Sequence, residues 1–359
     1  MAGEAASALG LSMAVLAERH DDAACEVAAE VMLGSPLSGD DLRAFARRCG
    51  VVTFDHEQVD LEAVAALSDE GAVVRPDAAA LELAVDKAHM RTVLDAAGVP
   101  VPEYAVIDNG AQASDMVANF AAVRGWPVMV KAARGGYDGK GVWPVAERAE
   151  AQDVLSHIEG RIVVEELVLV SAELAVMVAR RPSGAALAWP AVETAQLGGV
   201  CREVLVPGRL APDVLDAASA LGQKVAEIAG AVGVMAVELF WSEGRLLVNE
   251  VATRPHNSGH WTIEGAETSQ FENHVRAVGG LPLGTTGARG ICAMVNCIST
   301  MPDRDAVLRV PGAHLHDYGK QPRVDRKLGH VTIVASDATA LDERLAELRK
   351  ITGFEGGRV

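Results

Sequence analysis

The stretch that most constrains the fold runs from Gly233 to Trp261 and reads GVMAVELFWSEGRLLVNEVATRPHNSGHW. Its two apolar runs are rich in β-branched residues and flank a Ser-Glu-Gly-Arg turn, which predicts a β-hairpin. Each run carries one acid in its apolar middle, Glu238 in the first and Glu250 in the second. A three-residue loop, Glu243 to Arg245, is expected to place these carboxylates opposite each other on one face.

Two carboxylates held that close repel each other unless a positive charge lies between them. A divalent cation bound by oxygen ligands meets this need, so Glu238 and Glu250 are candidate metal ligands, with Asn249 beside them. The alternative is a surface hairpin whose two acids face water. The hairpin alone does not decide between these readings.

The loop after the hairpin, Thr253 to Trp261, contains two histidines, an arginine, an asparagine, a serine and a tryptophan in nine residues. Such a set of donors suits the binding of a polar, phosphorylated ligand next to a metal. A hydrogen-bonded surface loop is the alternative, although a purely structural turn rarely needs so many different donors.

The composition predicts an α/β protein of two or three domains, because half of the 359 residues are hydrophobic and only 4% are aromatic. The net charge of −17 argues against a general nucleic-acid surface, which needs a basic face. Any phosphate ligand must therefore be held by a local pocket.

The cysteines and the apolar runs predict a cytoplasmic protein. The five cysteines are scattered and lack a CxxC pair, which favours reduced thiols over disulfides or a zinc site. No apolar run reaches membrane-spanning length. The N-terminal apolar stretch follows an acid and no basic residue, so we do not expect a signal peptide.

Alternating strands and helices in the first part of the chain predict a small parallel-sheet domain. We expect helices at Ala23–Val31 and Ser38–Cys49 and a strand at Val51–Phe54. Ligands gather beyond the carboxyl ends of such strands, where Glu57 lies. A surface acid is the alternative for Glu57.

A lysine and a glycine-rich loop follow the next clear strand, PVMVK, which ends at Lys131. Four of the seven residues from 135 to 141 are glycines, and a second strand is expected at Val142–Val145. Glycines let backbone N–H groups approach a phosphate, and lysine supplies charge. The pattern is neither a P-loop nor a dinucleotide fingerprint. It predicts a hairpin flap over phosphates, with a merely flexible glycine hairpin as the alternative.

Other segments carry weaker signals. The helix Asp86–Ala97 has Lys87 in its first turn, where a cation opposes the helix dipole. The strand Arg161–Val168 ends in an acidic segment that could read an adenine edge, although strand ends commonly carry Glu. A strand is expected at Leu187–Val192 and a helix at Ala266–Val278. The basic cluster from 320 to 327 either faces water or reaches an anionic ligand.

Together, Lys131 with GGYDGKG, VVEELV, and MAVELFW before LLVNEVATRPHNSGHW resemble the ATP-grasp superfamily. Within it, GGYDGKG, RPHNSGHWT, SQFENHVRAV and RKLGH resemble the N5-carboxyaminoimidazole ribonucleotide synthetase family of purine synthesis. The resemblance covers nearly the whole chain. It implies an ATP-grasp fold of the α/β (α+β) class, with a small N-terminal parallel-sheet domain (residues 1–85), a two-lobed ATP-binding domain (86–284) and a small C-terminal β-rich domain (285–359).

The resemblance also implies roles for individual residues. ATP would be bound by residues from all parts of the second domain: Lys87, Lys131, Gly136, Tyr137, Asp138, Gly139, Lys140, Gly141, Val142, Glu165, Glu166, Leu167, Val168, Glu173, Gln196, Asn249 and Glu250. Magnesium, or manganese, would be held by Glu238 and Glu250. The 5-aminoimidazole ribonucleotide and bicarbonate site would contain Glu57, Tyr137, Asp138, Arg254, His256, Asn257, Ser258, Lys320, Arg326 and Lys327, of which Arg254, His256, Lys320 and Arg326 are the catalytic candidates.

The reaction implied is carboxylation of the ribonucleotide's amine through carboxyphosphate, by an enzyme that is typically a homodimer. Another ATP-grasp ligase, such as a formate-dependent glycinamide ribonucleotide transformylase, is the alternative enzyme. It would share Lys131, Glu238 and Glu250 but not RPHNSGHWT. A nucleotide-binding protein without catalysis is the alternative from another class.

The chain departs from the family pattern at several points. The family begins with a strand and a glycine-rich loop of the GGGQL kind, and Met1 falls at about the helix that follows them. We therefore expect the reading frame to start upstream of Met1. Asp325 replaces a usual glycine, Thr253 a usual proline, and Gln196 a common histidine. None of these changes removes the predicted metal or phosphate ligands.

Overall fold

The computed structural model describes residues 1–136 and 140–354. Its N-terminal part consists of α1 (Ala2–Ala8), β1 (Ala14–Ala17), a 3-10 helix (Ala23–Glu26), β2 (Glu30–Leu33), α2 (Gly39–Ala46), α3 (Leu61–Asp69) and α4 (Ala78–Val85). Strands β1 and β2 pair in parallel, as the alternation of elements predicts. The Ser38 side chain accepts a hydrogen bond from the backbone of α2 and caps it, also as predicted.

Two predictions in this part are wrong. The expected helix Ala23–Val31 is a single 3-10 turn followed by β2, because residues 30–33 pair along the whole length of β1. The expected strand Val51–Phe54 is reduced to one parallel bridge between Val52 and Val74. For residues 30–33, pairing with β1 overrides the local pattern.

The next part forms the first and smaller lobe of the middle region, called the small lobe below. It contains α5 (Lys87–Ala96), β3 (Tyr104–Asp108), α6 (Ala113–Arg124), β4 (Val128–Ala132), β5 (Val142–Val145), α7 (Arg148–Ser156) and β6 (Arg161–Glu166). The strands form an antiparallel sheet in the order β3-β6-β4-β5. Helices α6 and α7 cover one face of it around a core of buried aliphatic side chains. The predicted hairpin that follows Lys131 is β4–β5.

The remaining elements build a larger sheet. They are β7 (Ala172–Arg180), β8 (Ala186–Ala188), β9 (Val192–Leu197), β10 (Val200–Val206), α8 (Pro212–Ala229), β11 (Gly233–Ser242), β12 (Arg245–Ala252), a 3-10 helix (Asn257–Gly259), α9 (Thr262–Gly265), α10 (Gln270–Val278), β13 (Ile291–Ile298), α11 (Arg304–Arg309), β14 (Ala313–Asp317), β15 (Lys327–Ala335) and α12 (Ala338–Thr352). In the described chain the order is β12-β11-β7-β9-β10-β13-β15-β14, with β8 beside β7. The sheet therefore continues from the ATP-binding region into the C-terminal region.

Three predictions along this sheet need correction. The expected strand Leu187–Val192 is split between β8 and β9, with the fully buried Trp189 and a proline between the two strands. The sequence analysis expects no strand over most of β9 or over β10, because polar residues such as Glu193, Gln196 and Glu203 interrupt their apolar pattern. The helix expected from Ala266 begins at Gln270, where the Ser269 side chain caps it.

The N-terminal part is joined to the large sheet through a buried histidine on α10. The His274 Nδ1 atom accepts a hydrogen bond from the Val234 backbone at 3.0 Å, and Nε2 lies 2.9 Å from the Thr53 hydroxyl. Burial lowers the pKa of His274 to about 4, so the ring is neutral at neutral pH. With Nδ1 accepting, Nε2 carries the proton and donates to Thr53.

The described chain contains five free cysteines and no disulfide, as the cysteine pattern predicts. Across residues 1–136 and 140–354, no helix combines the length and the apolar character that a bilayer crossing requires.

A glycine sets the distance between α8 and the large sheet. A Cβ atom at Gly222 would lie 2.7 Å from Cγ1 and 2.8 Å from Cβ of Val176 on β7. Val176 is fully buried, and its branched side chain has little rotamer freedom. The close approach of α8 therefore depends on the absence of a side chain at position 222.

We predict that Gly222→Ala lowers the free energy of unfolding by about 1–3 kcal/mol through overpacking. Alanine gains up to about 1 kcal/mol in helix propensity, which is smaller than this loss. Urea unfolding followed by circular dichroism measures the effect. Gln223→Ala, at the exposed neighbouring position, is the control and should change stability by less than about 0.5 kcal/mol. A more stable Gly222→Ala variant would contradict the packing argument.

Candidate active site

The hairpin predicted from the sequence is β11–β12, and it places Glu238 directly opposite Glu250. The predicted three-residue loop is wrong, because Ser242 pairs with Arg245 and the turn holds only two residues. Both turn residues, a glutamate and a glycine, have positive φ angles of 48° and 78°. This is the conformation that two-residue hairpin turns favour.

A β-bulge at Asn249 explains why the carboxylates still face each other. Leu239 pairs with Val248, and the preceding residue Glu238 pairs with Glu250, so Asn249 is the extra residue on β12. The bulge shifts the register by one residue and offsets the shorter turn. It also turns the Asn249 side chain out of the regular alternation, toward the small lobe.

Lys131 connects the two lobes at this bulge. Its Nζ atom donates to Asn249 Oδ1 at 3.3 Å and lies 2.7 Å from Oε2 of Glu165 on β6. Lys131 and Glu165 are 7% and 2% exposed. Burial favours the neutral carboxyl of Glu165, but Lys131 and Arg91 outweigh it and lower its pKa to about 2. Glu165 is therefore ionised, and its carboxylate is occupied by two cations.

Lys87, in the first turn of α5, forms an ion pair with Glu250. Its backbone N–H donates to the carbonyl of Ala133 at 2.8 Å, which fixes the start of α5 against the end of β4. The unfavourable position of a cation at a helix N-terminus is thus offset by a carboxylate from the other lobe. The predicted ATP residues Lys87, Lys131, Asn249 and Glu250 consequently form one contiguous cluster.

Glu238 lies in a more apolar setting than Glu250. Burial, followed by the charges of Glu250 and Glu173, raises the pKa of Glu238 to about 8, although 24% of its side chain remains open to solvent. His256 Nε2 lies 3.6 Å from Glu238 Oε1. Burial, followed by the charge of Arg254, lowers the pKa of His256 well below its ordinary value, so this histidine is neutral.

Glu57 binds the loop that follows the hairpin. Its Oε2 atom accepts from Arg254 Nε at 2.7 Å, and Oε1 accepts from the backbone N–H of Thr253 at 3.2 Å. Glu57 is therefore brought to the predicted site, but in contact with Arg254. The carboxylate fixes the direction of the guanidinium group.

The backbone around His256 is held by Gln270 of α10. Gln270 Oε1 accepts from the His256 N–H at 2.9 Å, and Nε2 donates to the His256 carbonyl at 2.7 Å. The same Nε2 lies 2.9 Å from His260 Nδ1. On the side chain, His256 Nδ1 lies 2.8 Å from the Ser258 hydroxyl. These contacts leave the Nε2 edge of His256 facing Glu238.

Asn257 is buried and pairs with Asn296 of β13. The two side-chain amides exchange hydrogen bonds of 2.8 Å and 2.7 Å, and Asn296 also donates to the Cys201 carbonyl at 2.9 Å. The predicted substrate residue Asn257 thus has its amide engaged within the protein. It anchors the loop to the C-terminal strands.

The basic cluster approaches the site through Lys327, the first residue of β15. The charge of Lys327 acts on Glu238, His256 and His260, which places it beside the hairpin and its loop. Lys320 lies farther out, 5.4 Å from the centre of the Tyr318 ring. Burial, followed by Arg326, lowers the pKa of Lys320.

The glycine loop closes tightly at its base. A Cβ atom at Gly136 would lie 2.6 Å from the Lys140 carbonyl oxygen, and Gly141 has a φ of 75°. The Gly141 carbonyl accepts from the Ala132 N–H at 2.9 Å, directly before Val142 begins β5. The predicted residues Tyr137, Asp138 and Gly139 lie outside the described residues.

The predicted adenine segment follows β6. The Glu166 backbone N–H donates to the Glu103 carbonyl at 3.0 Å, and Glu166 Oε1 accepts from the Glu103 N–H at 3.3 Å. The chain then leaves the sheet at Leu167, which is 40% exposed, and Val168. Glu173 lies at the start of β7, the next strand along the chain. Burial raises its pKa, while a hydrogen bond to Gln196 opposes that shift. The predicted residues Glu173 and Gln196 therefore contact each other.

Two contact residues are absent from the predicted set. Arg91 lies one helical turn after Lys87 on α5, and this spacing indicates a shared helix face. Gln270 belongs to the SQFENHVRAV segment, but nothing in its spacing indicates that it binds His256. Each of these two contacts joins residues that lie far apart along the sequence.

Comparison with known families and structures matches each part of the chain in order. The "Ribonucleotide synthetase preATP-grasp domain" model matches residues 1–85, and the "ATP-grasp domain" model matches residues 92–271. The "Phosphoribosylaminoimidazole carboxylase C-terminal domain" model matches residues 292–344. The predicted fold class is thereby confirmed.

Curated relatives and solved structures match over nearly the whole chain. The N5-carboxyaminoimidazole ribonucleotide synthase of Mycobacterium tuberculosis is 44% identical over 363 residues, covering 97% of this chain and 83% of the relative. The crystal structure of the Thermus thermophilus synthetase has a TM-score of 0.90 at 38% identity, covering 98% of this chain and 95% of that one. The Aspergillus clavatus enzyme, solved with ADP and 5-aminoimidazole ribonucleotide, has a TM-score of 0.89 at 26% identity, covering 98% and 95%.

These matches agree with a site in which Lys87 pairs with Glu250, Lys131 contacts the adjacent Asn249, and Glu238 lies opposite Glu250 beside the RPHNSGHW loop. The chain belongs to the N5-carboxyaminoimidazole ribonucleotide synthase family, and it is an ATP-dependent ligase with the ATP-grasp fold.

Proposed function

We propose that this protein uses ATP and bicarbonate to carboxylate 5-aminoimidazole ribonucleotide to N5-carboxyaminoimidazole ribonucleotide in de novo purine biosynthesis. The observation that carries the proposal is the contact between Glu238 and His256. At this contact, the carboxylates that would bind the metal meet the RPHNSGHW loop. Relatives that share 44% of their residues with this chain bear the name of this activity.

The carboxylate pair fits a magnesium ion. In the described chain, no group of three His, Cys, Asp or Glu side chains stands close enough to hold a metal by itself. Magnesium is usually bound by one or two carboxylates together with phosphate oxygens and water, so Glu238 and Glu250 supply what the protein must provide. Burial first, and then the charges of Glu250 and Glu173, raise the pKa of Glu238, and a bound cation would favour its ionised form. Manganese takes the same oxygen ligands.

When bound, the metal neutralises charge on the transferring phosphoryl group. Lys87 and Lys131 lie beside Glu250 and Asn249 and would contact the phosphates of ATP. Residues 136–142 would be the flap over these phosphates. The backbone of the segment 165–168 would line the adenine, and Glu173, beside Gln196, would bind the ribose. Catalysis of phosphoryl transfer by these residues is mainly positioning and electrostatic stabilisation.

In the first step, a bicarbonate oxygen attacks the γ-phosphorus of ATP, the bond to the β-phosphate oxygen breaks, and ADP and carboxyphosphate form. In the second, the exocyclic amine of the ribonucleotide bonds to the carboxyl carbon, inorganic phosphate leaves and the nitrogen loses a proton. Arg254 and His256 would hold the carboxylated intermediate or manage this proton. His256 is neutral and its Nδ1 accepts from the Ser258 backbone N–H, so its Nε2 carries the hydrogen and would donate to an anionic group.

The remaining predicted residues would form the wall of the ribonucleotide site. Lys320, Arg326 and Lys327 supply positive charge for its phosphate. Ser258 orients the His256 ring, and Asn257 and Glu57 hold the loop and Arg254 in place. Tyr137 and Asp138 complete this set of proposed substrate residues.

We further propose the division into residues 1–85, 86–284 and 285–359, a homodimeric assembly and a cytoplasmic location. The family matches at 1–85, 92–271 and 292–344 support the division. The assembly and the location rest on the resemblance to the family and on the reduced cysteines.

The proposed activity is tested by ADP release with purified protein, ATP, magnesium and bicarbonate. We expect release to depend on 5-aminoimidazole ribonucleotide, with one N5-carboxylated product formed per ADP. Formate-dependent turnover with glycinamide ribonucleotide would instead identify a different ATP-grasp ligase. Nucleotide binding without turnover on either substrate would identify a non-catalytic protein.

Glu250→Gln should lower kcat by at least about 100-fold, because the neutral amide is a poor magnesium ligand and leaves Lys87 without its partner. Coupled ADP-release assays over a range of magnesium concentrations measure this change. Glu243→Gln, in the turn of the same hairpin, is the matched control and should behave like wild type. Full activity of Glu250→Gln would exclude metal ligation by this residue.

His256→Ala should lower the rate of carboxylation by about 100-fold while the Kd for ADP stays within about twofold. The reason is that His256, in the RPHNSGHW loop, contacts Glu238, whereas Lys87 of the proposed ATP site contacts Glu250. Product formation and calorimetric ADP binding separate the two effects. His157→Ala, at an exposed position on the small lobe, is the control. An unchanged carboxylation rate would remove His256 from the site.

A further inference from the structure

A buried arginine on α5 lies directly behind the lysine of the proposed ATP site. Arg91 is 1% exposed, and its Nε atom donates to Glu165 Oε1 at 2.7 Å. The other oxygen of the same carboxylate lies 2.7 Å from Lys131 Nζ. Glu165 therefore bridges two cations, one on a helix and one on the neighbouring strand.

The bridge leaves the Lys131 ammonium little freedom. Its contacts are Glu165 on one side and Asn249 Oδ1, at 3.3 Å, on the other. Arg91 restrains the Glu165 carboxylate from behind, so the direction of the carboxylate and that of the ammonium are coupled. Since both Glu165 oxygens are engaged, its side chain serves this bridge and is not open toward an adenine ring.

We infer that Arg91 is a positioning residue for nucleotide binding, which acts through Glu165 to hold the Lys131 ammonium where it meets the phosphates of ATP. This inference rests on the proposed function, in which Lys131 contacts those phosphates. It assigns a role to a residue that does not itself touch the nucleotide.

The energetics of buried ion pairs favour a positioning role over a purely stabilising one. Desolvation offsets most of the attraction in such pairs, and apolar residues of similar volume often stabilise a core equally well. Here the Nη1 atom of Arg91 is buried and has no hydrogen-bond partner in the described structure, which adds to the desolvation penalty. A buried ion pair that only stabilised the fold would need Lys131 and Glu165 but not the third charge, that of Arg91.

Arg91 also favours the ionised form of Glu165, although burial and the charge of Arg91 lower the pKa of Lys131. The pKa of Glu165 is lowered by Lys131 first and Arg91 second, against the effect of burial. With both cations present, the carboxylate is ionised and remains a strong acceptor for the ammonium group. Replacing Arg91 with an apolar side chain would leave one cation to hold a buried anion.

The test is calorimetric binding of magnesium-ADP to a double-mutant cycle of Arg91→Met and Lys131→Met. We expect Arg91→Met to raise the Kd for ADP by about tenfold in the wild-type background and by less than about twofold in the Lys131→Met background. An effect of Arg91→Met that is equal in both backgrounds would overturn the inference. So would a folded Arg91→Met variant that binds ADP like wild type.

Charge rescue separates positioning from packing. Lysine and methionine have similar volumes, so Arg91→Lys should recover at least half of the lost binding free energy if the cation matters. Binding by Arg91→Lys that is no better than that by Arg91→Met would contradict the inference. Arg349→Met removes the partly buried α12 partner of the buried Glu203 on β10, and as the control it should leave ADP binding unchanged.

Circular dichroism and thermal unfolding establish that each variant is folded. If Arg91→Met does not fold, Glu165→Gln replaces it in the cycle, because the amide keeps the shape and one acceptor oxygen. Glu165→Gln should then raise the Kd for ADP about fivefold only when Lys131 is present. An equal effect in both backgrounds overturns the inference. Wild-type ADP affinity of Lys131→Met alone would instead refute the proposed role of Lys131.

Discussion

The structure depends on a connected set of ion pairs and hydrogen bonds, most of them buried, where the two lobes of the ATP-binding region meet. Lys87 meets Glu250, Lys131 meets Asn249 and Glu165, and Glu165 meets Arg91 on the helix that also carries Lys87. A buried charge without a partner is unfavourable by several kcal/mol, on the order of the entire margin of stability of a domain. Each member is therefore constrained by the next, and α5, β4, β6 and β12 meet in one arrangement.

The same chain connects architecture to chemistry. Catalysis of phosphoryl transfer requires cations and metal ligands to be in place before the substrate arrives. Here the cations come from the small lobe and the carboxylates from the large sheet, so the site exists only where the lobes meet. The RPHNSGHW loop is fixed independently, by Gln270, Glu57 and the Asn257–Asn296 pair. The lysine–carboxylate half of the site and the RPHNSGHW loop are thus held by different contacts, and they meet where Glu238 faces His256.

Much of the site was predictable because its parts are encoded locally. The paired acids follow from the hairpin pattern, and Lys131 with its glycine loop follows from a strand that ends in a lysine. The facing of Glu238 and Glu250 was predicted correctly for a partly wrong reason, since a shorter turn and a bulge together replace the expected loop. Short-range patterns specify which residues lie close, but they do not report bulges. The partners of Glu165 and Asn257 were not predictable, because those contacts join residues 74 and 39 positions apart.

The continuity of the large sheet ties the C-terminal region to the hairpin that carries Glu238 and Glu250. Strand β10 pairs with β9 on one side and β13 on the other, so backbone hydrogen bonds run from the carboxylate hairpin through to β14. A domain attached by a flexible linker can separate from its neighbour without loss of structure, whereas strands of one sheet share their ladder. The C-terminal strands are thus joined by backbone hydrogen bonds to the hairpin that carries Glu238 and Glu250, and Asn296 of β13 anchors Asn257 of the loop that follows this hairpin.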